Sequence, residues 1–587
     1  MKAKTSKVRI GGASGFWGDT ALAVPQLLAA GEVDYLVFDY LAEVTMSILA
    51  AQRAKDATAG YAHDFVQIMM REALPQLHAR GIRVVANAGG VNPLACRDAL
   101  QRLAAELGIT IRIGVVLGDD LVTRASTFRD AGVTEMFSFA SFPRRVASVN
   151  AYLGALPIAR ALDAGCDVVI TGRCVDSAVT LGVLMHEFGW GADAYDRLAQ
   201  GTLAGHLIEC GAQCTGGLFT DWETVPDWEN IGFPIVEASA DSSFVITKAA
   251  GTGGLVTPAT VGEQLLYEIG DPRAYLVPDV SCDFTQVRMT QQAEHHVLVS
   301  GAIGRAPTAQ YKVSATYADG FRNTGFLTIA GADAVRKAQR TGAALLTRMQ
   351  RMLAARGLPP FTETRIEVLG GEEMFGANAS TEAREVVLKM SAKAASKDSL
   401  ELFAREFAPA ATSMAPGTLG LVGGRPSPTP VVRLFSFLLD KRAVAVEIDI
   451  NGERDAVTIP LQGGFDATTL GPAQTHASAA ADGKERVPLI TLAHGRSGDK
   501  GNIANIGLIA RRAEDLPRLS AWLTPERVAA HFAHRTPSRV ERFDLPGLNA
   551  INFVLHDVLG GGGMASLHTD NLAKAYAQVL LTMEIPG

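Results

Sequence analysis

The densest run of reactive side chains in the chain is His494-Gly-Arg-Ser-Gly-Asp-Lys-Gly-Asn502, directly after the apolar stretch LITLA. Arg496 and Lys500 could hold an anion with Ser497 and Asn502 as polar contacts, while His494 or Asp499 moves or orients a proton. A solvated turn closed by a local ion pair is the other reading of the same residues.

Further polar sets follow strand-like runs. Thr171-Gly-Arg-Cys-Val-Asp-Ser177 comes after DVVI, and there either Arg173 contacts an anion and Asp176 moves or orients a proton, or the two form an ion pair that orders the loop. His206-Leu-Ile-Glu-Cys offers Glu209 as a general acid or base. His206, Cys210 and Cys214 recur every four residues, but Gly211, Gly216 and Gly217 interrupt a helix and no second Cys pair completes a ligand set, so no metal is expected. Gly12-Ala-Ser-Gly15, with Gly12, Ser14 and Gly15, and the Gly251-Thr-Gly-Gly254 loop, with Thr252 and Gly253, present backbone N–H groups suited to phosphate or carboxylate; for the first loop a tight strand-to-helix turn is the other reading. Asn87 stands beside the Gly89-Gly90 doublet. Asp39, at the end of a second strand, would suit a ribose if the first loop held NAD(P). No tyrosine has Lys four residues on, which disfavours a reductase of the short-chain type.

These residues need elements that end where they begin. Short apolar runs at 7–11, 35–39, 83–90, 109–117 and 167–171 alternate with helical spacing at 19–30, 41–54, 64–80 and 95–107, the pattern of an α/β domain with a mainly parallel sheet flanked by helices. From about 230 to 460 the alternation at 243–248, 362–370, 431–439 and 443–450 indicates a mixed or antiparallel region. The expected organisation is an N-terminal domain over 1–465, with a possible subdivision near 230, a linker over 466–486, and a C-terminal α+β ferredoxin-like domain over 487–587. In that last domain the order is strand, strand, helix, strand, strand, helix.

Composition narrows the partners. The 54 Lys and Arg against 61 Asp and Glu, with no basic block, give no footprint for nucleic acid or an anionic membrane. The start of the chain lacks the apolar core of a signal peptide, and the uncharged stretch 407–424 is broken by Pro and Gly, so a cytoplasmic protein is expected. Six scattered cysteines form no disulfide framework. The 59 glycines gather at strand ends, which predicts several backbone cradles around one anionic ligand.

Taken together, VRIGGASGFWGD, YLVFDYLAE, NAGGVNP, ITGRCVDSA, HLIECGAQCTGG, GTGGLVT and LAHGRSGDKGNIANIGLIAR resemble the acyclic terpene utilisation protein AtuA family over nearly the whole chain. The resemblance implies a large N-terminal domain with a C-terminal ferredoxin-like domain, and a place in the breakdown of citronellol, geraniol and similar methyl-branched compounds through acyl-CoA intermediates. It assigns no catalytic residue. The expectation is therefore an enzyme acting on a branched acyl-CoA or related carboxylate, by general acid/base chemistry of lyase, hydratase or hydrolase type. No separate cofactor is expected, the coenzyme A moiety being part of the substrate, and the chain is expected to form a homo-oligomer. The alternatives are a non-catalytic binding or scaffolding partner of an acyl-CoA carboxylase pathway and, disfavoured, an NAD(P)-dependent reductase.

Overall fold

The computed structural model describes residues 6–29, 31, 33–421, 423–461, 464–471 and 486–586. Residues 472–485 of the expected linker lie outside them. Five parallel strands form the centre of the first sheet: Lys7–Gly12, Tyr35–Phe38, Arg83–Ala86, Val168–Thr171 and Ile113–Leu117, in that spatial order. Tyr35–Phe38 and Val168–Thr171 are buried along their whole length, as β-branched and aromatic runs covered on both faces must be. Helices Glu43–Lys55, Arg71–Arg80, Pro93–Glu106 and Ala178–Phe188 cover the faces with their apolar sides. The helix expected over 19–30 forms only over Ala23–Ala29, because Gly15 to Thr20 is taken up by a tight turn closed by Asp19.

The sheet does not stop at 230. Pro234–Ser239 runs antiparallel beside Lys7–Gly12 and is followed outward by Phe244–Lys248, His296–Ser300 and Arg288–Ala293. At the other edge Glu447–Ile450 pairs antiparallel with Ile113–Leu117 and carries Glu453–Ala456, which gives eleven strands among the described residues. The alternating run 443–450 thus joins the parallel sheet rather than the antiparallel one, since Lys441–Ala443 is a turn that redirects the chain.

A second, antiparallel sheet is organised by the 21-residue strand Gln310–Ala330, which pairs with Thr429–Asp440, Glu385–Ala394 and Ser148–Ala151. Helix Ala334–Ala355 packs Leu345, Met349 and Leu353 against it. The C-terminal unit holds four antiparallel strands, Ala493–Lys500, Ile503–Ala510, Ala550–Leu555 and Val540–Leu545, in that spatial order. This is the sheet order of a ferredoxin-like fold with the chain permuted, so that two hairpins alternate with helical segments. No helix among the described residues is long and apolar enough to cross a membrane.

Candidate functional site

The parallel strands all deliver polar residues to one edge of the sheet, their carboxyl ends, where open α/β folds hold ligands. Ser14 follows the first strand, Asp39 the second, Asn87 the third and Arg173 the fourth. Asn87 donates Nδ2–H to Asp39 Oδ1 at 2.5 Å and accepts the Tyr40 N–H at 2.7 Å, while Ser14 Oγ donates to the Asp39 carbonyl at 3.1 Å. Burial, together with the nearby charges of Asp176 and Glu209, pushes Asp39 well above the usual carboxylate range.

Arg173 is almost completely buried and bonds Asp176 Oδ1 at 2.6 Å, with its guanidinium stacked on the Tyr152 ring at 4.2 Å. Its Nε has no partner. Its backbone N–H goes to Asp119 Oδ2 at 2.8 Å, and burial lifts that carboxyl to about 7. Tyr152 donates its hydroxyl to Glu43 Oε1 at 2.5 Å, and Lys312 stands 3.6 Å from the same oxygen. Burial disfavours the Glu43 carboxylate, but Lys312 and Arg173 outweigh it and hold the group ionised.

Glu209 closes the Tyr195–Ile208 helix. His206, one turn earlier, donates through Nε2 to the Leu265 carbonyl at 3.1 Å; a carbonyl only accepts, so this nitrogen carries the proton. The contact between Nδ1 and Glu209 Oε1 at 3.0 Å then needs one more proton, which the two residues share. Burial raises Glu209 against the pull of His206, and the Glu209 charge raises His206 against its own burial, so both shifts retain that proton. Glu209 Oε2 is left buried and unpartnered. Tyr275 lies over the His206 ring at 5.4 Å, its phenol raised by burial and by the Glu209 charge.

The C-terminal unit supplies the opposite wall. Lys500 reaches Glu268 Oε2 at 3.1 Å, Lys574 reaches Glu268 Oε1 at 3.3 Å and Asp499 at 3.6 Å. The charges of Glu268 and, at longer range, Tyr275, Asp176 and Glu43 hold Lys500 in its charged form, and its side chain is half exposed. Glu268 adopts a left-handed backbone at φ 58°, held there because its N–H bonds Asn505 Oδ1 at 3.0 Å while Asn552 grips the Ile269 and Gly270 carbonyls. Burial and the Glu268 charge raise Asp499 to about 7.

The charges nearly balance, with Asp119 and Asp499 both raised to about 7. Arg173, Lys312, Lys500 and Lys574 face the ion-paired carboxylates of Glu43, Asp176 and Glu268, the His206–Glu209 pair is neutral overall, and Asp39 and Asp499 are biased towards their acid forms. Such a cleft suits an anionic substrate beside a carboxyl group able to take or give a proton.

The structure brings together Ser14, Asn87, Arg173, Asp176, Glu209, Asp499 and Lys500. It separates the other candidates. His494 to Lys500 is a strand rather than a turn, so its ends stand about 20 Å apart. His494 Nε2 meets Asp221 Oδ2 at 2.9 Å, and Arg511 forks the same carboxylate at 2.7 and 2.5 Å. Phe219 stacks on the imidazole at 5.3 Å, and burial with Arg511 lowers His494. Arg496 is bound to Gln213 Oε1 at 2.7 Å, Ser497 Oγ accepts the Ala577 N–H at 2.8 Å, and Asn502 ties Asp557 to Gly561 in the hairpin turn.

The glycine loops bond largely within the fold. Gly15 donates its N–H to Asp19 at 2.8 Å and Ala13 donates to the Val37 carbonyl, while a Cβ on Gly12 or Gly15 would strike the Ile208 carbonyl or the Gly211 nitrogen. These glycines let the first loop lie against the turn that carries Glu209. Thr252 Oγ1 bonds the Ala249 carbonyl and the Gly253 N–H bonds the Asn230 carbonyl, inside their own loop pair. Sequence reasoning missed His206 as a proton partner, although its spacing of three to Glu209 on a helix shows it. It missed Glu43, Tyr152, Glu268, Tyr275, Lys312 and Lys574, which only the tertiary fold assembles.

The acyclic terpene utilisation family protein AtuA matches residues 8–450, and the AtuA ferredoxin-like domain matches residues 487–586. The chain belongs to this family. No curated protein and no solved structure matches it.

Proposed function

We propose that this member of the acyclic terpene utilisation family is a cytoplasmic enzyme acting on a branched acyl-CoA or a related carboxylate, by general acid/base chemistry of the lyase, hydratase or hydrolase kind. The observation that supports the reading is Glu209: one oxygen shares a proton with His206 and the other is buried and unpartnered at the ends of the parallel strands. In this reading Glu209 Oε2 takes a proton from substrate or from an attacking water, and His206 balances the charge through Nδ1. Arg173 and Lys500 hold the carboxylate or thioester oxygen, and Tyr275 or the acid form of Asp39 supplies a proton to the departing or developing oxyanion. No further cofactor enters these steps.

The test incubates the full chain with branched acyl-CoA thioesters and their free acids in deuterated water and follows products by mass spectrometry. Product formation, or deuterium at a carbon beside the carbonyl, is the expected result. Tight binding with neither product nor exchange would overturn the catalytic reading and favour a binding partner of an acyl-CoA carboxylase pathway.

A further inference from the structure

A cavity of about 430 Å³ lies between the antiparallel sheet and the C-terminal unit, walled by Arg322, Lys389, Ser427, Thr429, His568 and Thr569. Its size falls in the range of small-molecule sites, and its walls are polar. Both family-matched parts of the chain contribute to it, and it shares no residue with the cleft around Glu209.

The charges around it do not cancel. Lys389 spends its ammonium on Glu367 Oε2 at 2.7 Å, the Leu567 carbonyl at 3.0 Å and Thr569 Oγ1 at 3.0 Å, and Arg365 also pairs with Glu367 at 3.1 Å. Glu367 and Glu373 are then set against four cations, Arg322, Arg365, Lys389 and Arg535. Asp570, its oxygens taken by the Lys574 and Ala575 N–H groups, is a third carboxylate, which leaves one positive charge in excess. Arg535 is 4% exposed, and its Nε and Nη2 are buried without partners. An uncompensated buried guanidinium is costly, and a nearby anion relieves it.

Two donors complete the wall. Arg535 Nη1 lies against His568 Nδ1; a guanidinium cannot accept, so Nδ1 is bare and the ring carries its proton on Nε2. Burial, then the charges of Arg365 and Arg535, push His568 down to about 3, which keeps it a neutral donor. Arg322 uses Nη1 for the Met564 and Ser566 carbonyls, which fixes the side chain and leaves Nε and Nη2 without a partner among the described residues.

We propose that this cavity is a second ligand site, which binds a phosphate-bearing small molecule through Arg322 and His568 in the positive field of Arg535 and Lys389. A phosphate monoester or pyrophosphate brings at least as much negative charge as that excess, and the hydroxyls of Ser427 and Thr429 suit the oxygens of a sugar or phosphate. The source is either a free phosphorylated metabolite or the nucleotide end of a coenzyme A thioester.

The experiment is calorimetric titration of the full chain with pyrophosphate, adenosine 3′,5′-bisphosphate, coenzyme A, acetate and adenosine. The two phosphate compounds are expected to bind at least tenfold more tightly than acetate or adenosine. Arg322→Gln should weaken them at least tenfold, and Thr429→Glu, which breaks no bond of the fold and adds a repelling charge at an exposed wall position, should do the same. Competition by coenzyme A would identify the nucleotide end as the source, and its absence a free metabolite. Phosphate compounds that bind no better than acetate, or binding unchanged in Thr429→Glu, would overturn the site. Glu209→Gln should leave these affinities unchanged, which separates this site from the chemistry of the cleft.

Discussion

The cleft under Lys500 and the clamp around His494 use the same residue types, an imidazole beside a carboxylate with an Arg nearby, but they leave different atoms free. In the clamp both Asp221 oxygens are forked by Arg511, which lowers the carboxyl, and His494 is fixed between Asp221 and Phe219. In the cleft the Arg gives Nη1 to Asp176 and keeps Nε without a partner, and Glu209 keeps one buried oxygen without a partner while sharing a proton through the other. A carboxylate gripped by a guanidinium is held ionised and joins surfaces; one backed by a histidine can exchange a proton. The clamp spans the same two parts of the chain as the cleft, so it also sets the position of Lys500.

The largest expected effect separates the two. Glu209→Gln should cut turnover by roughly 10²- to 10⁴-fold with little change in Tm, whereas His494→Ala should keep kcat within about threefold and lower stability by about 1–3 kcal/mol. Steady-state kinetics beside thermal unfolding reads both. The reverse pattern would exchange the roles of the two clusters.

A second prediction concerns pH at the clamp. Glu263 accepts the Thr220 N–H beside Asp221, and burial raises its carboxyl from 4.5 to about 7. A folded carboxyl above its unfolded value favours the folded state when protonated, so this contribution is lost as pH rises from about 4.5 through 7. Glu263→Gln should match the parent near pH 4 and exceed it above pH 8 by on the order of 3 kcal/mol. Urea unfolding at the two pH values checks the sign.

Third, a Cβ on Gly507 would sit 2.4 Å from Leu266 Cβ, in the segment that carries Glu268. Gly507→Ala should cost about 1–3 kcal/mol and raise KM more than it lowers kcat, because Glu268 and Lys500 shift together. The smallest effect is expected at Thr252→Ala, which should leave turnover and ligand affinity within twofold, since Thr252 bonds only within its own loop.

Much of the first sheet was legible because buried parallel strands are short apolar runs, and the rule that ligands lie beyond their carboxyl ends pointed to Arg173 and Asp176. At the His494 motif, polar density alone could not tell a turn from a strand whose side chains dock another unit. Gly498 and Gly507 within and after that motif face Tyr267 and Leu266, so their smallness serves close packing. Nothing local marks Glu268 or Lys574, more than three hundred residues apart, as neighbours; the Asn505 and Asn552 contacts that align them exist only between the folded units.

The most direct test is a structure of the chain with a bound, unreactive analogue of a branched acyl-CoA or its carboxylate. The reacting carbon or its attacking water is expected within about 3 Å of Glu209 Oε2, with the carbonyl or carboxylate oxygen between Arg173 and Lys500. An analogue whose acyl end instead rests on His494 and Asp221, away from Glu209, would contradict it.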